Sequence, residues 1–127
     1  AFGSTTRNMQ AVSLDLGNSI VYRETIGSSN AKEVLITDRA VTGTVVLQAP
    51  DNITDKDYFA EAAADATALS TLDFTHGTSA GNQVQINSTK ADIGDITYED
   101  SDGIAMMSIP FTLVPESDGG ELSMIFR

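Results

Sequence analysis

The sequence predicts a mainly β protein, a β-sandwich or small barrel of antiparallel strands flanked by one α-helix at about residues 54–68. Three observations lead to this prediction. Short apolar runs alternate with polar residues at a period of two along most of the chain. Turn-forming Gly, Asn, Asp, Ser and Pro residues separate these runs. One Ala-rich segment alone has apolar residues at spacings of three and four.

Two strands are predicted near the N-terminus. Residues 12–16 alternate apolar and polar side chains, as in a strand with one buried face, and residues 20–26 form a second β-rich run. Gly17 and Asn18 between them predict a turn. The two runs are therefore expected to pair as a hairpin, although the reverse order, Asn-Gly, is the stronger hairpin signal.

The next two strands are predicted at residues 33–37 and 41–49. The second is rich in Val and Thr, which favour the pleated conformation. Gly43 lies inside this second run. Because Gly weakens a strand unless its geometry is needed, it predicts either a bulge or a close approach of another backbone.

A single amphipathic helix is predicted next. Thr54 is a suitable N-cap, and Asp55 and Asp57 in the first turn favour the positive end of the helix dipole. The apolar stripe of this helix consists of Tyr58, Phe59, Ala62, Ala63 and Ala66. Glu61 and Asp65 fall between these residues and are expected on the solvated face.

The β pattern returns after the helix. Strands are predicted around Leu72 and Phe74, around Val84 and Ile86, and over residues 93–98, 104–114 and 122–126. Loops are predicted at residues 77–81 and 115–120, and a tight turn at Asp100-Ser101-Asp102-Gly103. Pro110 lies within the long apolar strand. It predicts an edge strand or a bend, because Pro cannot donate a ladder hydrogen bond.

The length and charge limit the classes of function. At 127 residues the chain has room for one domain with one core, predicted over residues 1–127. It begins Ala1-Phe2-Gly3 without Met, which predicts a processed or trimmed chain, or a fragment of something longer. Eighteen acids against seven Lys plus Arg give a net charge of −11. That balance argues against a nucleic-acid binder or a partner of anionic membranes. It favours either general solubility or a surface that repels a polyanion.

Catalytic motifs are missing from the sequence. There is no Cys, which excludes a disulfide, a thiolate zinc site and a cysteine nucleophile. The single histidine, His76, adjoins a Gly-rich loop without the context of a Ser-His-Asp relay. The loop itself, residues 77–82, is followed by a strand and has no Lys-Ser/Thr, which argues against a phosphate cradle. We therefore expect no enzyme.

Two groups of acids invite comparison with cation sites. Residues 100–103 have the spacing of a calcium loop, but an EF-hand would need an acid in place of Tyr98 and a Glu near Phe111. The acids between residues 51 and 57 are explained by capping of the predicted helix. The sequence therefore predicts no metal and no cofactor.

A series of short motifs follows Arg39. In order along the chain they are TGTVVL at residues 42–47, the helix from Asp55, HG at 76–77, GNQVQI at 81–86, DITYED at 95–100, DGI at 102–104, a long apolar strand into Pro115, and ELSMIF at 121–126. In this order the chain resembles the phage tail tube protein family, in particular the C-terminal part of tail tube proteins from long-tailed phages. The resemblance covers most of the chain, and none of its motifs is a catalytic signature. Because such relatives are often longer, it implies that this chain is one half of a duplicated subunit.

The resemblance implies a structural subunit of a virion. Sheets of neighbouring copies would join edge to edge into a ring, commonly with six domains, and rings would stack into a tube through which DNA passes without specific binding. Its partners would be further copies of itself and other tail proteins, with no membrane, and assembly would take place in the cytoplasm of the bacterial host. An acidic lumen would repel phosphates and let DNA slide during ejection.

The resemblance also implies two sets of site residues. The acids expected to face the lumen are Asp92, Asp95, Glu99, Asp100 and Asp102. The alternative for these five is a solvated turn. Loops expected to order against the next ring include Gly17, Asn18, Gly77, Gly81, Gly119 and Gly120.

Three other functions stay open at this point. A secretion-system tube or a prophage-derived tail would share the same architecture. An extracellular β-sandwich that binds sugar or a host surface would need an aromatic groove, which the absence of Trp and an aromatic content of 6% disfavour. A hydrolase on a β scaffold would require His76.

Overall fold

The computed structural model describes residues 1–3, 8–24, 32–50, 56–64, 70–116 and 120–127. Most of these residues lie in strands. The elements, in chain order, are β1 (Met9–Asp15), β2 (Ser19–Glu24), β3 (Lys32–Asp38), β4 (Thr42–Gln48), α1 (Tyr58–Ala63), β5 (Ser70–His76), β6 (Val84–Ile93), β7 (Thr97–Ser101), β8 (Ile104–Leu113) and β9 (Ser123–Phe126). The predicted fold class, mainly β with one helix, is confirmed.

Seven strands form one curled antiparallel sheet with the shape of a half-barrel. Along its main path the order is β1-β4-β8-β6-β5, while β7 pairs with β8 and β9 pairs with β6. β6 and β8 pair only at residues 91–93 and 111–113. Beyond this junction β8 pairs with β7 and β6 pairs with β9. The sheet therefore divides into a four-stranded half, β1-β4-β8-β7, and a three-stranded half, β5-β6-β9.

The hydrophobic core lies against one face of β4, β8, β6 and β5. Burial alternates along β4 and β8, so that Val45, Leu47 and Ile109 are fully buried while their neighbours Val46 and Ser108 are less so. Each large side chain removed from water in this way contributes about 1.5–3 kcal/mol to the free energy of folding. The core cluster consists of Phe2, Val41, Val45, Leu47, Tyr58, Leu72, Ala91, Ile93, Met107, Ile109, Phe111 and Leu113.

The first three residues close one side of this core. Phe2 is buried, with its ring centroid 5.9 Å from Tyr58 and 5.8 Å from Phe111. Gly3 donates its backbone N–H to the carbonyl of Thr71 on β5 at 2.8 Å. The Tyr58 hydroxyl donates to the Phe2 carbonyl at 3.1 Å. Residues 1–3 therefore run beside the outer edge of β5 and cover part of it.

The predicted hairpin between the first two strands is wrong. β1 pairs with β4, where Asp15 lies opposite Thr42, and β2 pairs with β3 in a separate two-stranded sheet. Gly17 has φ +54°, and its N–H donates to the Asp15 carboxylate at 3.0 Å, which makes a local turn without reversing the chain into β1. Val12 and Leu14 pack against the core through the β1–β4 pairing. The burial of Val12 and Leu14 explains why β1 pairs with β4, because a hairpin with β2 would not bring these side chains against the core.

Other strands agree with their predictions. Those expected at residues 33–37 and 41–49 are β3 and β4, and those around Leu72 and Val84 are β5 and β6. Of the run expected at residues 20–26, β2 covers Ser19–Glu24, and residues 25 and 26 lie outside the described part. The final strand, β9, is also confirmed.

The helix is shorter than predicted. It begins at Tyr58 with Asp57 as its N-cap, whose carboxylate accepts the Ala60 N–H at 2.9 Å. It ends at Ala63, because Ala64 has an extended backbone, with ψ at 142°. The predicted cap, Thr54, and residues 65–68 lie outside the described part. The Ala-rich segment has high helix propensity, but a short helix is stable mainly through the residues it buries, and here Tyr58 alone is fully buried.

Phe59 and Glu61 of the helix lie in other environments than the apolar stripe of the sequence predicted. Phe59 was expected on the apolar stripe but is 44% exposed, with its ring centroid 5.9 Å from Tyr98 on β7. Glu61 was expected on the solvated face but is partly buried. Its carboxylate accepts from Lys56 Nζ and, at 2.5 Å, from the hydroxyl of buried Ser70. Glu61 therefore ties the helix to β5.

The strand predicted at residues 93–98 is divided. β6 ends at Ile93 and β7 begins at Thr97, and Gly94 between them donates its N–H to the Pro110 carbonyl at 2.8 Å. β8 lies inside the sheet, so the prediction of an edge strand at Pro110 is wrong. The backbone nitrogen and carbonyl of a strand residue point to the same neighbouring strand, so the Pro110 nitrogen faces the connection between β6 and β7. Because β6 has ended and β7 has not yet begun at this point, the missing N–H of Pro110 removes no hydrogen bond from a regular strand ladder.

The predicted tight turn at residues 100–103 is confirmed, and one of the two alternatives predicted for Gly43 is confirmed. The tight turn between β7 and β8 has positive φ at Asp102, +53°, and at Gly103, +83°, as a two-residue hairpin turn requires. At Gly43 the close approach is confirmed. A Cβ there would collide with the Ser13 carbonyl oxygen and lie 2.6 Å from Phe111 Cζ. The register of β4 shows no bulge at this residue.

Candidate assembly surfaces

The side of the four-stranded half that faces away from the core carries mainly short polar side chains. Directly opposed residues of an antiparallel sheet share a face, and one row across the strands is Asp15, Thr42, Thr112 and Asp92. We call this surface the polar face. Its polar members are Ser13, Asp15, Thr42, Thr44, Gln48, Thr97, Glu99, Ser101, Ser108 and Thr112, with Asp92 of β6 at its border, and its apolar members are Ala11, Val46, Ile104, Met106 and Pro110.

The structure separates the five acids that were expected to act together. Asp92 and Glu99 lie on the polar face and are exposed. Asp95 is exposed in the connection between β6 and β7, and Asp102 occupies the turn after β7. Asp100 alternates to the other side of β7 from Glu99. Two of the five therefore share the polar face, and their place relative to a lumen stays a prediction.

Asp15 is an acid of the polar face that the sequence analysis did not include. It lies opposite Thr42 at the end of β1. Its alternation with Leu14 and Leu16 indicated an outward side chain. Only the pairing of β1 with β4 shows that it lies in one row with Asp92.

Several cations in the described part are already paired with acids. Lys56 pairs with Glu61, and Lys90 lies 3.8 Å from the Glu116 carboxylate. By alternation Lys90 of β6 lies on the same side as Asp92, at the border of the polar face, where the Glu116 carboxylate offsets its charge. The surface is therefore acidic, in the same sense as the whole chain.

β2 and β3 form a separate two-stranded sheet, which we call the ribbon (Ser19–Glu24 with Lys32–Asp38). Ile20 lies opposite Ile36 and Tyr22 lies opposite Val34, so these four side chains share one face. Each of the four is between 54% and 65% exposed. A two-stranded hairpin is marginally stable alone in water, and a continuous exposed apolar face of this kind is typical of an interaction surface.

The base of the ribbon is held against the sheet at two places. A Cβ at Gly17 would lie 2.5 Å from the Ala40 carbonyl oxygen, so the two backbones are in close contact. Arg39 makes a bidentate ion pair with buried Glu121, through Nε and, at 2.6 Å, through Nη2. This Arg39 hydrogen bond lowers the pKa of Glu121 below its usual value, a backbone hydrogen bond lowers it further, and burial opposes both.

In the seven-stranded sheet four strands have an outer edge without a ladder partner among the described residues, namely β1, β5, β7 and β9, and β2 and β3 of the ribbon each have one as well. Residues 1–3 cover part of the β5 edge, where Phe2 bridges to Leu72. β9 is exposed along its whole length, including Met124, Ile125 and Phe126. Unpaired edges of this kind are places where another chain can add a strand.

The loops expected to meet another ring lie at three places in the fold. The first joins β1 to β2, the second joins β5 to β6, and the third precedes β9. Gly77 and Gly81 have φ of +95° and +88°, which favours Gly. The predicted residues Gly17, Asn18, Gly77, Gly81 and Gly120 are described, and Gly119 lies outside the described part. Their role between rings stays a prediction.

Other kinds of site have little support in the described part of the chain. His76 is exposed at the end of β5, with its ring stacked at 6.5 Å from Phe74. No group of three or more His, Asp or Glu side chains there is arranged to hold a metal ion. A search of the same residues found no helix of the length and apolar character that crossing a bilayer requires.

Comparisons with known proteins identify relatives of the fold. A family model described as phage tail tube protein matches residues 1–113. The structure is similar to a chain in the tail of an empty gene transfer agent particle, solved by helical refinement with C6 symmetry, at a TM-score of 0.53 and 16% identity over 98% of this chain and 85% of that one. It is also similar to a chain in the virion of a native gene transfer agent particle, at a TM-score of 0.50 and 18% identity over 92% and 84%. A search of curated proteins found no significant match.

Proposed function

The chain belongs to the phage tail tube protein family as a structural tail subunit, and we propose that six copies form a ring, that rings stack into a tube, and that DNA passes through its channel. The number six is taken from the C6 symmetry of the similar gene transfer agent tail. One domain over residues 1–127 would supply each sixth of the ring.

The polar face is the observation that carries this proposal. It is a broad surface of short Ser and Thr side chains with Asp15, Asp92 and Glu99 at its borders. A DNA-binding surface gains affinity when Lys and Arg displace counterions from phosphates. A surface on which acids predominate, and whose bordering Lys90 is paired with Glu116, gives the opposite effect. Lining the channel with it would keep DNA from adhering, so that the genome can slide.

The ribbon supports stacking of the rings. Its apolar face, formed by Ile20, Tyr22, Val34 and Ile36, would be buried against another copy in the neighbouring ring. The loop at Gly17 and Asn18 would order in the same contact. Burial would stabilise a two-stranded element that is marginal alone.

The proposal also covers location and partners. The subunit is a component of a phage-like tail, and assembly would take place in the host cytoplasm with other tail proteins. No membrane and no catalytic step take part in this function. Replacing His76 with Ala should therefore leave assembly unchanged.

Electron microscopy of the concentrated protein tests the proposal. We expect rings or tubes with a central hole, and image averages with six-fold symmetry. A protein that remains monomeric at every concentration, or that forms filaments without a channel, would show that the proposed function is wrong.

A further inference from the structure

We propose that residues 1–3 act as a guard strand, which fills the outer edge of β5 and keeps a second copy of this chain from adding a strand there. The guard strand is an autoinhibitory contact inside one subunit. This inference goes beyond the proposed function and does not rest on it, because it concerns the single subunit before any assembly.

The backbone of the guard strand pairs with β5 as a strand would. Asp73 donates its N–H to the Ala1 carbonyl at 2.9 Å, and the Ala1 nitrogen donates in return to the Asp73 carbonyl. Gly3 donates its N–H to the Thr71 carbonyl at 2.8 Å. Phe2 lies between these two contacts, opposite Leu72 in an antiparallel bridge. This alternation is that of an antiparallel ladder, so the guard strand extends the sheet by one short strand.

Little of the β5 edge remains open beyond the guard strand. Backbone groups of a strand point to its two neighbours in alternation, so Asp73 faces outward and Thr75 does as well. β5 ends at His76, which leaves Thr75 as the one outward residue of this strand beyond the guard. One residue is too short for another strand to pair with. The guard strand therefore closes the edge where it would otherwise be longest.

Phe2 anchors the guard strand in the core. Its side chain is only 1% exposed, and its ring centroid lies 5.9 Å from that of Tyr58 and 5.8 Å from that of Phe111. The Tyr58 hydroxyl, itself buried, donates to the Phe2 carbonyl at 3.1 Å. A strand from another copy would have to displace this aromatic residue as well as the backbone hydrogen bonds. Because the guard strand belongs to the same chain, it also competes at an effective concentration of about millimolar.

The edge of β5 would attract other chains if it were uncovered. Its sequence, STLDFTH, contains neither the Lys nor the Pro that often protect an exposed edge. Displacing Phe2 would also uncover apolar surface of Tyr58 and Phe111 beside the edge. An open ladder next to an apolar pocket favours strand addition, which is why we expect copies without the guard to associate through β5.

Gly3 is the position at which the guard strand can be displaced without removing its anchor. It has φ +60°, which a β-branched residue strongly disfavours. A Cβ there would also lie 2.7 Å from Lys56 Cε and 3.3 Å from Ser70 Oγ. Gly3→Val should therefore release the guard strand while the Phe2 side chain is retained.

Hydrogen exchange measured by NMR and sedimentation test this role with Gly3→Val. In dilute solution the Asp73 amide should exchange about tenfold faster than in the unmodified protein, because the Ala1 carbonyl no longer accepts its N–H. At higher concentration the variant should associate, and the amides of Asp73 and Thr75 should become protected together. In the unmodified protein the Thr75 amide should stay unprotected at every concentration.

Gly103→Val is the matched control. Gly103 also has a positive φ, +83°, but a Cβ there meets nothing within 4 Å and it lies in the turn between β7 and β8. This control should keep the Asp73 amide protected. Unchanged exchange at Asp73 in Gly3→Val, no association of that variant, or association with Thr75 still unprotected would each overturn the proposal. If Gly3→Val does not fold, Phe2→Leu weakens the anchor and is measured in the same way.

A reversible lock gives a second test on a chain that has no cysteine of its own. Ala1 and Asp73 exchange backbone hydrogen bonds, and the Cα atoms of such a pair are about 5.5 Å apart, within the range of a disulfide. Ala1→Cys with Asp73→Cys should therefore fix the guard strand when oxidised. Added to Gly3→Val, the lock should abolish association, and reduction should restore it.

The lock also separates the guard from the proposed function. In the otherwise unmodified chain, tubes should form equally with the lock oxidised or reduced, because the guard strand stays in place during assembly. Loss of tubes on oxidation alone would overturn the guard, since the β5 edge would then be needed. If the unmodified protein forms no tubes at all, the proposed function fails, while the exchange measurements on the dilute subunit still decide the role of residues 1–3.

Discussion

Gly43 lies in β4 between β1 and β8, opposite Leu14 on one side and Phe111 on the other. A side chain at this position would meet the Ser13 carbonyl on one side and the Phe111 ring on the other. Its backbone φ is ordinary, so the requirement is for space and not for an unusual conformation. The Gly within a Val- and Thr-rich strand signalled either a bulge or a close approach, and only the pairing of three strands shows that it is the second and identifies the atoms involved.

We expect Gly43→Ala to lower the free energy of unfolding by about 1–3 kcal/mol, because the added methyl group forces backbone shifts in a packed sheet. Urea unfolding measures the change. Gly120→Ala is the matched control, since a Cβ there meets nothing within 4 Å. Equal effects of the two substitutions would contradict the crowding at Gly43.

The Arg39–Glu121 ion pair is a second contact that the sequence did not reveal. The two residues are 82 positions apart, and no local pattern links them. Glu121 is buried while Arg39 is about half exposed, so the ion pair is protected on one side from water. It joins the base of the ribbon to the start of β9.

The lowered pKa of Glu121 gives this contact a pH dependence. Its contribution to stability is fully present above the usual value of 4.5 and is lost as the pH falls through the lower folded-state pKa. We expect Glu121→Gln to be less stable than the wild type at neutral pH, and the two to converge below pH 4.5. Urea midpoints across this range measure the difference. Glu116→Gln, which removes an exposed partner of Lys90, should change little at any pH.

At the scale of elements, the helix shows what periodicity alone can predict. The spacing of apolar residues located one helix in the right part of the chain. It did not locate the ends, because both Asp57 and Thr54 are residue types that cap helices, and sequence alone does not show which side chain reaches the first free N–H groups. The structure selects Asp57, whose side chain accepts the Ala60 N–H at 2.9 Å.

We expect Asp57→Ala to destabilise the protein by about 1 kcal/mol, through loss of this capping hydrogen bond. Asp57→Asn keeps a side-chain oxygen at the same place and should retain most of the stability. Thermal unfolding followed by circular dichroism compares the two. A cost as large for Asn as for Ala would point to the charge of Asp57 and not to its capping role.

Strand pairing was the least predictable feature of the elements. Positions of most strands followed from alternation, because period two is a local property. Partners depend on burial between residues far apart in sequence, as in the pairing of β1 with β4 across the whole ribbon. The same reason explains why Pro110 predicted an edge strand or a bend. A proline is tolerated inside this sheet because β6 ends and β7 begins beside it, which no local pattern shows.

For the whole molecule, fold class and charge were predictable, and the distribution of charge was not. Composition gave the net charge of −11. The acids near residues 92–102 were expected as one group, but alternation along β7 divides them between two sides of the sheet. Asp15 joins the polar face from a distant part of the chain; its local alternation indicated an outward side chain but not the row that it shares with Asp92.

The potential at the polar face can be measured in assembled tubes. We expect a cysteine at Thr44 to react faster with a cationic thiol reagent than with an anionic one, by about tenfold at low salt, because an acidic channel concentrates cations. The ratio should fall as salt is added. Thr75→Cys on β5 is the control and should give a ratio near one. A bulky thiol reagent should reach Thr75 and be excluded from Thr44, and equal access would place Thr44 outside the channel.

The narrow junction between β6 and β8 has a mechanical consequence. Among the described residues the two halves of the sheet are joined by strand pairing at residues 91–93 and 111–113, with one flanking backbone hydrogen bond at each end, between Lys90 and Val114 and between Gly94 and Pro110. A sheet is least stiff where the fewest hydrogen bonds join its strands. When a tube built from these subunits bends, we therefore expect each subunit to deform at the junction between β6 and β8. If the polar face lines the channel as proposed, the wall formed by the four-stranded half would stay continuous while the three-stranded half of each subunit tilts.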